Sequence, residues 1–294
     1  DVGGGFGVKG NFAVEVSTVV WAAQRLRRPV KWTATRSETL LSDAQARNHD
    51  SHARMGFDRE GRIVAMQVHT LAALGGYLSN FAPSIPGNSY PQTITGLYRT
   101  PNLHLRVRGV YTNTVPVDAY RGSGRPEATW INERLAERGA RELGIDVAEF
   151  RRRNLIARSD FPYPAPGGRV YDSGDPPVLL ETLLSLADYP ALRKRQAELR
   201  RQGVLAGIGL ACFIDKAGTG PSGNLAKRGG LHGGWESAVV RVHSDGKVTV
   251  FAGSHSHGQG HDITFAQIAA DRLGLGIDDI GVVEGDTDRV PFGN

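Results

Sequence analysis

Three glycine-rich stretches carry the side chains and backbone with the most chemical potential. The first, Gly3-Gly4-Gly5-Phe6-Gly7-Val8-Lys9-Gly10, precedes a helix predicted over about 11–27 from the spacing of Phe12, Val16, Val19, Val20 and Ala23. Unpaired N–H groups at a helix start favour an anion, and glycine lets a ligand approach the backbone. Gly5, Gly7 and Gly10 also satisfy G-x-G-x-x-G, but the acidic ribose partner of a dinucleotide fold is missing from the end of the strand predicted at 30–35. Lys9-Gly10 reverses the Gly-Lys pair of a triphosphate loop. The second stretch, Ala119-Tyr120-Arg121-Gly122-Ser123-Gly124-Arg125-Pro126, puts two guanidinium groups before a helix, where either forks onto a phosphate or carboxylate or simply caps a neighbouring turn. Ser123 lacks a nucleophile elbow. In the third, His255-Ser256-His257-Gly258-Gln259-Gly260-His261, three imidazoles suggest zinc, while a glycine turn entering a helix explains the same residues without metal and leaves Gln259 to hydrogen-bond a ligand.

The elements that must position these stretches follow from periodicity. Residues 51–57 and 62–74 read as a hairpin around Asp58-Arg59-Glu60-Gly61, and Leu103, Leu105 and Val107 as a further strand. Pro126 opens a helix that Gly144 stops, and Asp146 with Glu149 predicts a capping box on the next one. Prolines and glycines crowd 159–178, the expected domain junction. Beyond it come a charged helix over about 178–202, strand-like runs at 204–214, 235–243 and 247–253, and a helix at 259–274. Strand, glycine turn and helix therefore occur twice, around Gly3–Gly10 and Gly253–Gly260.

The chain has 294 residues, 40% hydrophobic and 22% charged, with no apolar run long enough to span a bilayer. Two domains are expected. The single cysteine, Cys212, excludes an internal disulfide, a self-contained iron–sulfur cluster and a cysteine-rich zinc site, and fits a reducing, cytoplasmic compartment. A net charge of +5 without a recognition motif argues against nucleic acid. Asp1-Val2-Gly3 reads as the tail of a strand and Val290–Asn294 as loop, so both ends are expected to be truncations of a longer subunit.

Taken in order, Gly3-Gly4-Gly5-Phe6-Gly7-Val8-Lys9, Ala119-Tyr120-Arg121-Gly122, Gly258-Gln259-Gly260-His261 with Thr264 and Gln267, and the tail from Glu284 resemble the large, molybdopterin-binding subunit of the xanthine dehydrogenase and aldehyde oxidase family, in particular its carbon monoxide dehydrogenase branch. The resemblance implies an α/β (α+β) fold of two molybdopterin-binding domains with mixed sheets and packed helices: 1–160, a linker and helix at 161–203, and 204–294. It implies an oxidoreductase that hydroxylates an aldehyde or aromatic heterocycle with oxygen from water. Phe6, Gly7, Arg121, Gly122 and Ser123 would line the substrate pocket. Gly4, Gly5, Phe6, Gly7, Arg121, His257, Gly258, Gln259 and Gly260 would contact molybdopterin, as its cytosine dinucleotide, with molybdenum held by the pterin dithiolene and by no side chain. The family's general-base glutamate would lie beyond Asn294, and neither Glu284 nor Glu127 is promoted in its place. Flavin and 2Fe-2S centres would sit on a medium and a small partner subunit.

Two positions depart from the branch. Carbon monoxide dehydrogenase carries a cysteine after the arginine, where this chain has Gly122, so carbon monoxide oxidation is the alternative rather than the expectation. Ile263 stands where relatives are polar. Two readings from other classes compete: a nicotinamide-dependent dehydrogenase using Gly5, Gly7 and Gly10, and a basic, non-catalytic binding module.

Overall fold

The hairpin expected from 51–57 and 62–74 forms strands β1 (His49–Phe57) and β2 (Ile63–Ala73), paired antiparallel around the expected turn. Asp58 closes that turn by accepting from the Arg62 amide at 2.8 Å. β3 (Leu103–Val110) then pairs with β2 in parallel, giving the order β1-β2-β3. A parallel neighbour requires a crossover. Here it runs through a π turn at Ile85–Ser89 into a one-turn helix, α3 (Tyr90–Thr93). The computed structural model describes residues 3–10, 13–215, 236–291 and 293. Its chain divides into a larger unit, Gly7–Asp215, and a smaller one, Asp1–Phe6 with Lys216–Asn294.

The larger unit begins with α1 (Val14–Leu26) and α2 (Arg36–Ser42). Only part of the predicted 11–27 helix is described, and Val16 and Val20 face solvent, so its apolar stripe is not buried within the unit. The strand expected at 30–35 is not formed. Among the described residues the segment has no ladder partner, and Thr35 instead caps α2: its hydroxyl accepts from the Glu38 amide at 3.2 Å while Glu38 accepts from the Thr35 amide at 2.7 Å.

One face of the β1–β3 sheet packs on α4 (Arg125–Leu143), where Met66, Val68, Tyr90, Ile94, Ala128 and Ile131 form a core. Pro126 sits in the first turn of α4 and Gly144 ends it with φ 67°, as the sequence predicts. α5 (Val147–Asn154) is capped by Asp146, which accepts from the Ala148 amide at 2.8 Å. The predicted box is not completed, because Glu149 turns to the Arg153 guanidinium at 2.9 Å. Arg151 is fully buried against Glu133 (2.6 Å) and donates to the Leu210 carbonyl (2.7 Å), while the Tyr98 hydroxyl donates to the same carboxylate at 2.5 Å. Burial is affordable for this charge only because it is paired and hydrogen-bonded.

The predicted 178–202 helix is two helices, α6 (Pro176–Leu186) and α7 (Tyr189–Arg201), separated where Asp188 takes a left-handed conformation and accepts from the Ala191 amide. Leu180 and Leu184 join the core of Ala136, Ala140 and Phe150, so the expected junction at 161–203 lies inside the larger unit. Residues 204–214 form no strand; β4 (Tyr163–Pro164) and β5 (Val170–Tyr171) make a two-residue pairing within the proline-rich segment.

In the smaller unit the expected strands form β6 (Ala238–Val242) and β7 (Val248–Ala252), antiparallel, and β8 (Ile280–Val283) adds parallel to β7 after the crossover helix α8 (His261–Leu273). Val248, Val250, Ala266, Ala270 and Ile280 are its core. β6 is an edge strand whose Val239, Val240 and Val242 are all exposed. Both three-stranded sheets are thus a hairpin extended by a parallel third strand, the mixed α/β architecture expected. Among the described residues no helix is long and apolar enough to cross a membrane.

Candidate functional site

In the smaller unit the parallel strands β7 and β8 end at the same sheet edge, the place where open α/β sheets bind ligands. From β7 the chain enters the turn 253–260, where Gly258 (φ 101°) and Gly260 (φ 78°) adopt conformations that side chains resist, with open space where either Cβ would stand. Gly260 is the N-cap of α8 and among the described residues no side chain caps that terminus, which leaves the first-turn amides to an anion, opposed by the Asp262 carboxylate in the same turn.

Gly5 packs directly on this turn: a Cβ there would stand 2.9 Å from the His257 ring. A Cβ on Gly4 would meet the Phe6 ring at 2.6 Å; Phe6 itself has φ 51° and is half-exposed. The sequence-predicted residues Gly4, Gly5, Phe6, His257, Gly258, Gln259 and Gly260 are therefore brought together within this unit.

The turn is held by a polar chain that sequence reasoning missed. Glu284, at the end of β8 and nearly buried, lies 3.2 Å from His261 Nδ1. A carboxylate there holds the proton on Nδ1, leaving Nε2 to accept from the Gln259 amide at 3.1 Å. Gln259 in turn accepts from the His257 amide at 2.7 Å and donates to the His255 carbonyl at 3.1 Å. The parallel β7–β8 pairing was the signal that could have found Glu284. The zinc reading of the three histidines is not supported: among the described residues no group of three or more His, Cys, Asp or Glu side chains is arranged to hold a metal.

In the larger unit, Gly7 (φ 88°) abuts the second motif, since a Cβ there would stand 2.9 Å from the Ala119 carbonyl oxygen. Asp118, buried, anchors that loop by accepting from the Ala119 amide, the Phe81 amide at 3.4 Å and the Ser79 hydroxyl. Gly122 (φ 97°), Ser123 (φ 42°) and Gly124 (φ 89°) then make three consecutive left-handed turns into α4. A Cβ on Gly122 would lie 2.5 Å from the Pro126 ring. Ser123 donates its hydroxyl to the Tyr120 carbonyl at 3.2 Å, so it is a turn residue in this geometry.

Arg125 is spent on an ion pair with Asp215, whereas among the described residues no carboxylate pairs with the exposed Arg121 guanidinium. Arg121 lines a cleft of about 690 Å³ with Arg125, Trp130, Phe213 and Asp215. Arg47, at φ 61°, donates to the Arg121 carbonyl and lies over the Tyr120 ring at 5.0 Å. No spacing rule points to Arg47 from sequence. Residues 8–10 form a short 3-10 turn, α1 starts only at Val14, and no strand stands at 30–35, so a dinucleotide-binding βαβ unit is not assembled around Gly5, Gly7 and Gly10.

Family models described as molybdopterin cofactor-binding domain match residues 1–155 and 182–294. The carbon monoxide dehydrogenase large chain of Afipia carboxidovorans is 38% identical over 302 residues, covering 100% of this chain and 37% of that protein. The nicotine 6-hydroxylase large subunit of Paenarthrobacter nicotinovorans is 33% identical over 298 residues, covering 100% of this chain and 36% of that protein. Among solved structures, quinoline 2-oxidoreductase from Pseudomonas putida 86 superposes with a TM-score of 0.90 at 34% identity, over 100% of this chain and 38% of that one. A Cu,Mo-CO dehydrogenase follows at a TM-score of 0.86 and 36% identity, over 100% and 38%. The chain spans little more than a third of the length of these relatives.

Proposed function

Since the chain belongs to the molybdopterin cofactor-binding domain family, we propose that it is the cofactor-holding part of a molybdenum hydroxylase large subunit, an oxidoreductase that hydroxylates an aldehyde or aromatic heterocycle using oxygen from water. The observation that carries this reading is the turn between β7 and α8: two left-handed glycines beside open space, an uncapped helix terminus, and the Gly5 backbone packed against them. That cradle fits a phosphate-bearing pterin, which needs close backbone approach and amide donors. In this reading Gly258, Gln259 and Gly260 with Gly4, Gly5 and His257 hold the dinucleotide, here taken as the cytosine form. The Glu284–His261–Gln259 chain fixes the turn's conformation.

When bound, the molybdenum–pterin group supplies the two-electron acceptor and the delivery of water-derived oxygen. The chain's own residues bind and orient. Arg121, without an ion-pair partner among the described residues and lining the cleft, offers a two-pronged donor to a carbonyl or ring-nitrogen acceptor of the substrate, held in place by Arg47 through its backbone. Gly7, Gly122 and Ser123 of the larger unit are assigned to the pocket wall, and Phe6 of the smaller unit to the cofactor cradle. None of this chain's carboxylates is assigned as general base; Glu284 is committed to His261. Carbon monoxide is disfavoured as substrate because Gly122, with φ 97° and the Pro126 ring beside it, leaves no room for the thiol that the resemblance places there.

Partnership with flavin and 2Fe-2S subunits and a cytoplasmic location belong to the same proposal. Metal and nucleotide analysis of the full-length subunit, purified with whatever accompanies it, tests it. Molybdenum and released cytosine nucleotide in equal amounts are expected; a folded, cofactor-replete host preparation containing neither would refute the assignment.

A further inference from the structure

Arginines on the helical surfaces of the larger unit have partners one turn away: Arg141 pairs with Glu137 and Arg153 with Glu149. The outer face of the β1–β3 sheet is built differently. Strand alternation and register bring His52, Arg54, His69, His104, Arg106 and Arg108 to that face, with His52 opposite His69, His69 opposite Arg106, and Gln67 flanked by Arg54 and His104. All six are exposed. The opposite face is the one committed to the core with Met66 and Val68.

Asp50 is the one carboxylate that these three strands contribute to the outer face, and among the described residues none of the three arginines has an ion-pair partner. His69 Nε2 lies 3.3 Å from His104 Nδ1, so this contact holds only while one of the two rings keeps a lone pair to accept with. Like charges facing one another across strands oppose pairing, and a surface that is merely solvated intersperses both signs. This face does neither of the usual things with its charge: it does not mix it and does not neutralise it.

We propose that the outer face of β1–β3 is a docking surface for a carboxylate-rich protein surface. Guanidinium forks match carboxylates two bonds at a time, and three strands side by side, about 10 Å across, accommodate one acidic helix or loop. Nucleic acid fits less well: the face has no Phe, Tyr or Trp on which a base stacks, and Asp50 and Leu71 interrupt it. This inference stands independently of the cofactor reading.

The test uses the full-length protein isolated from its host at low ionic strength with whatever it carries. Arg106→Lys keeps the charge and supplies an amine that a zero-length carbodiimide joins only to a touching carboxylate. The expected result is a link to an Asp or Glu of a different polypeptide, lost when the reaction is run in high salt. A link confined to its own polypeptide, or none, overturns the proposal. Independently, the triple variant R54E/R106E/R108E should come apart from its companion at lower salt in size-exclusion chromatography. Elution unchanged at every ionic strength also overturns it, as does capture of polyuridylate by the parent protein that the triple variant loses.

Discussion

Replacing Gly122 by alanine attacks the loop before α4 through two separable terms. The backbone there sits at φ 97°, well outside the small left-handed well of L-residues, which costs roughly 1–3 kcal/mol. The new methyl would also stand 2.5 Å from Pro126 Cγ and 2.7 Å from its Cδ, atoms of a stiff ring at a helix start, adding about 1–3 kcal/mol of overpacking. The turn should therefore lose about 2–6 kcal/mol of local stability. Gly144→Ala is the control: φ is 67° but nothing stands within 4 Å, so only the backbone term, about 1–2 kcal/mol, applies there. Native-state hydrogen exchange reads the difference directly at the Ser123 amide, which donates to the Tyr120 carbonyl at 2.7 Å, and the Arg125 amide, which donates to the Gly122 carbonyl at 3.2 Å. Gly122→Ala should speed exchange at both by at least about thirtyfold, at about 1.4 kcal/mol per decade, while Gly144→Ala leaves them unchanged. Exchange within about threefold of the parent protein in Gly122→Ala would mean that the turn has slack which the geometry denies.

Three other outcomes follow from the same contacts. Glu284→Leu removes the acceptor for His261 Nδ1 and should release Gln259 from its turn at a cost of about 1–3 kcal/mol, seen as faster exchange of the His257 amide; an unchanged amide would show that the chain does not hold the turn. Burial, with the Glu133 carboxylate nearby, pushes the Cys212 thiol up to about 11, so iodoacetamide at pH 8 should modify it at least about a hundredfold more slowly than a free thiol until denaturant is added. Burial holds the His49 imidazole below its ordinary range, with Glu127 opposing the shift, and its Nδ1 has no hydrogen-bond partner among the described residues. The unfolded chain therefore binds that proton first, stability falls as pH drops below about 6.5, and His49→Gln should flatten the dependence of the denaturant midpoint between about pH 7.5 and 5.5.

Where one residue type decides a local conformation, the sequence was readable. Asp58 to Gly61 announced the hairpin, Pro126 and Gly144 bracketed α4, and the glycines before His261 marked the start of α8. Readings failed where a tertiary partner decided. Residues 30–35 alternate like a strand, but no neighbour offers a ladder, and Thr35 finds Glu38 instead. Glu149 was placed in a capping box by spacing, yet two arginines a turn away compete for it. Asp188 interrupts a continuous helical pattern through a backbone angle that the pattern does not encode. The candidate site divides the same way: its glycines were visible, whereas Arg47, Asp118 and Glu284 reach it from distant positions that only the folded chain brings near.

The exposed edge strand β6 bears on handling rather than chemistry. Val239, Val240 and Val242 leave that rim apolar, and no strand among the described residues pairs with its outer side, the template on which a second chain extends a sheet. Concentrated solutions of this chain should form sheet-extended oligomers, and Val240→Lys is the natural gatekeeper against them.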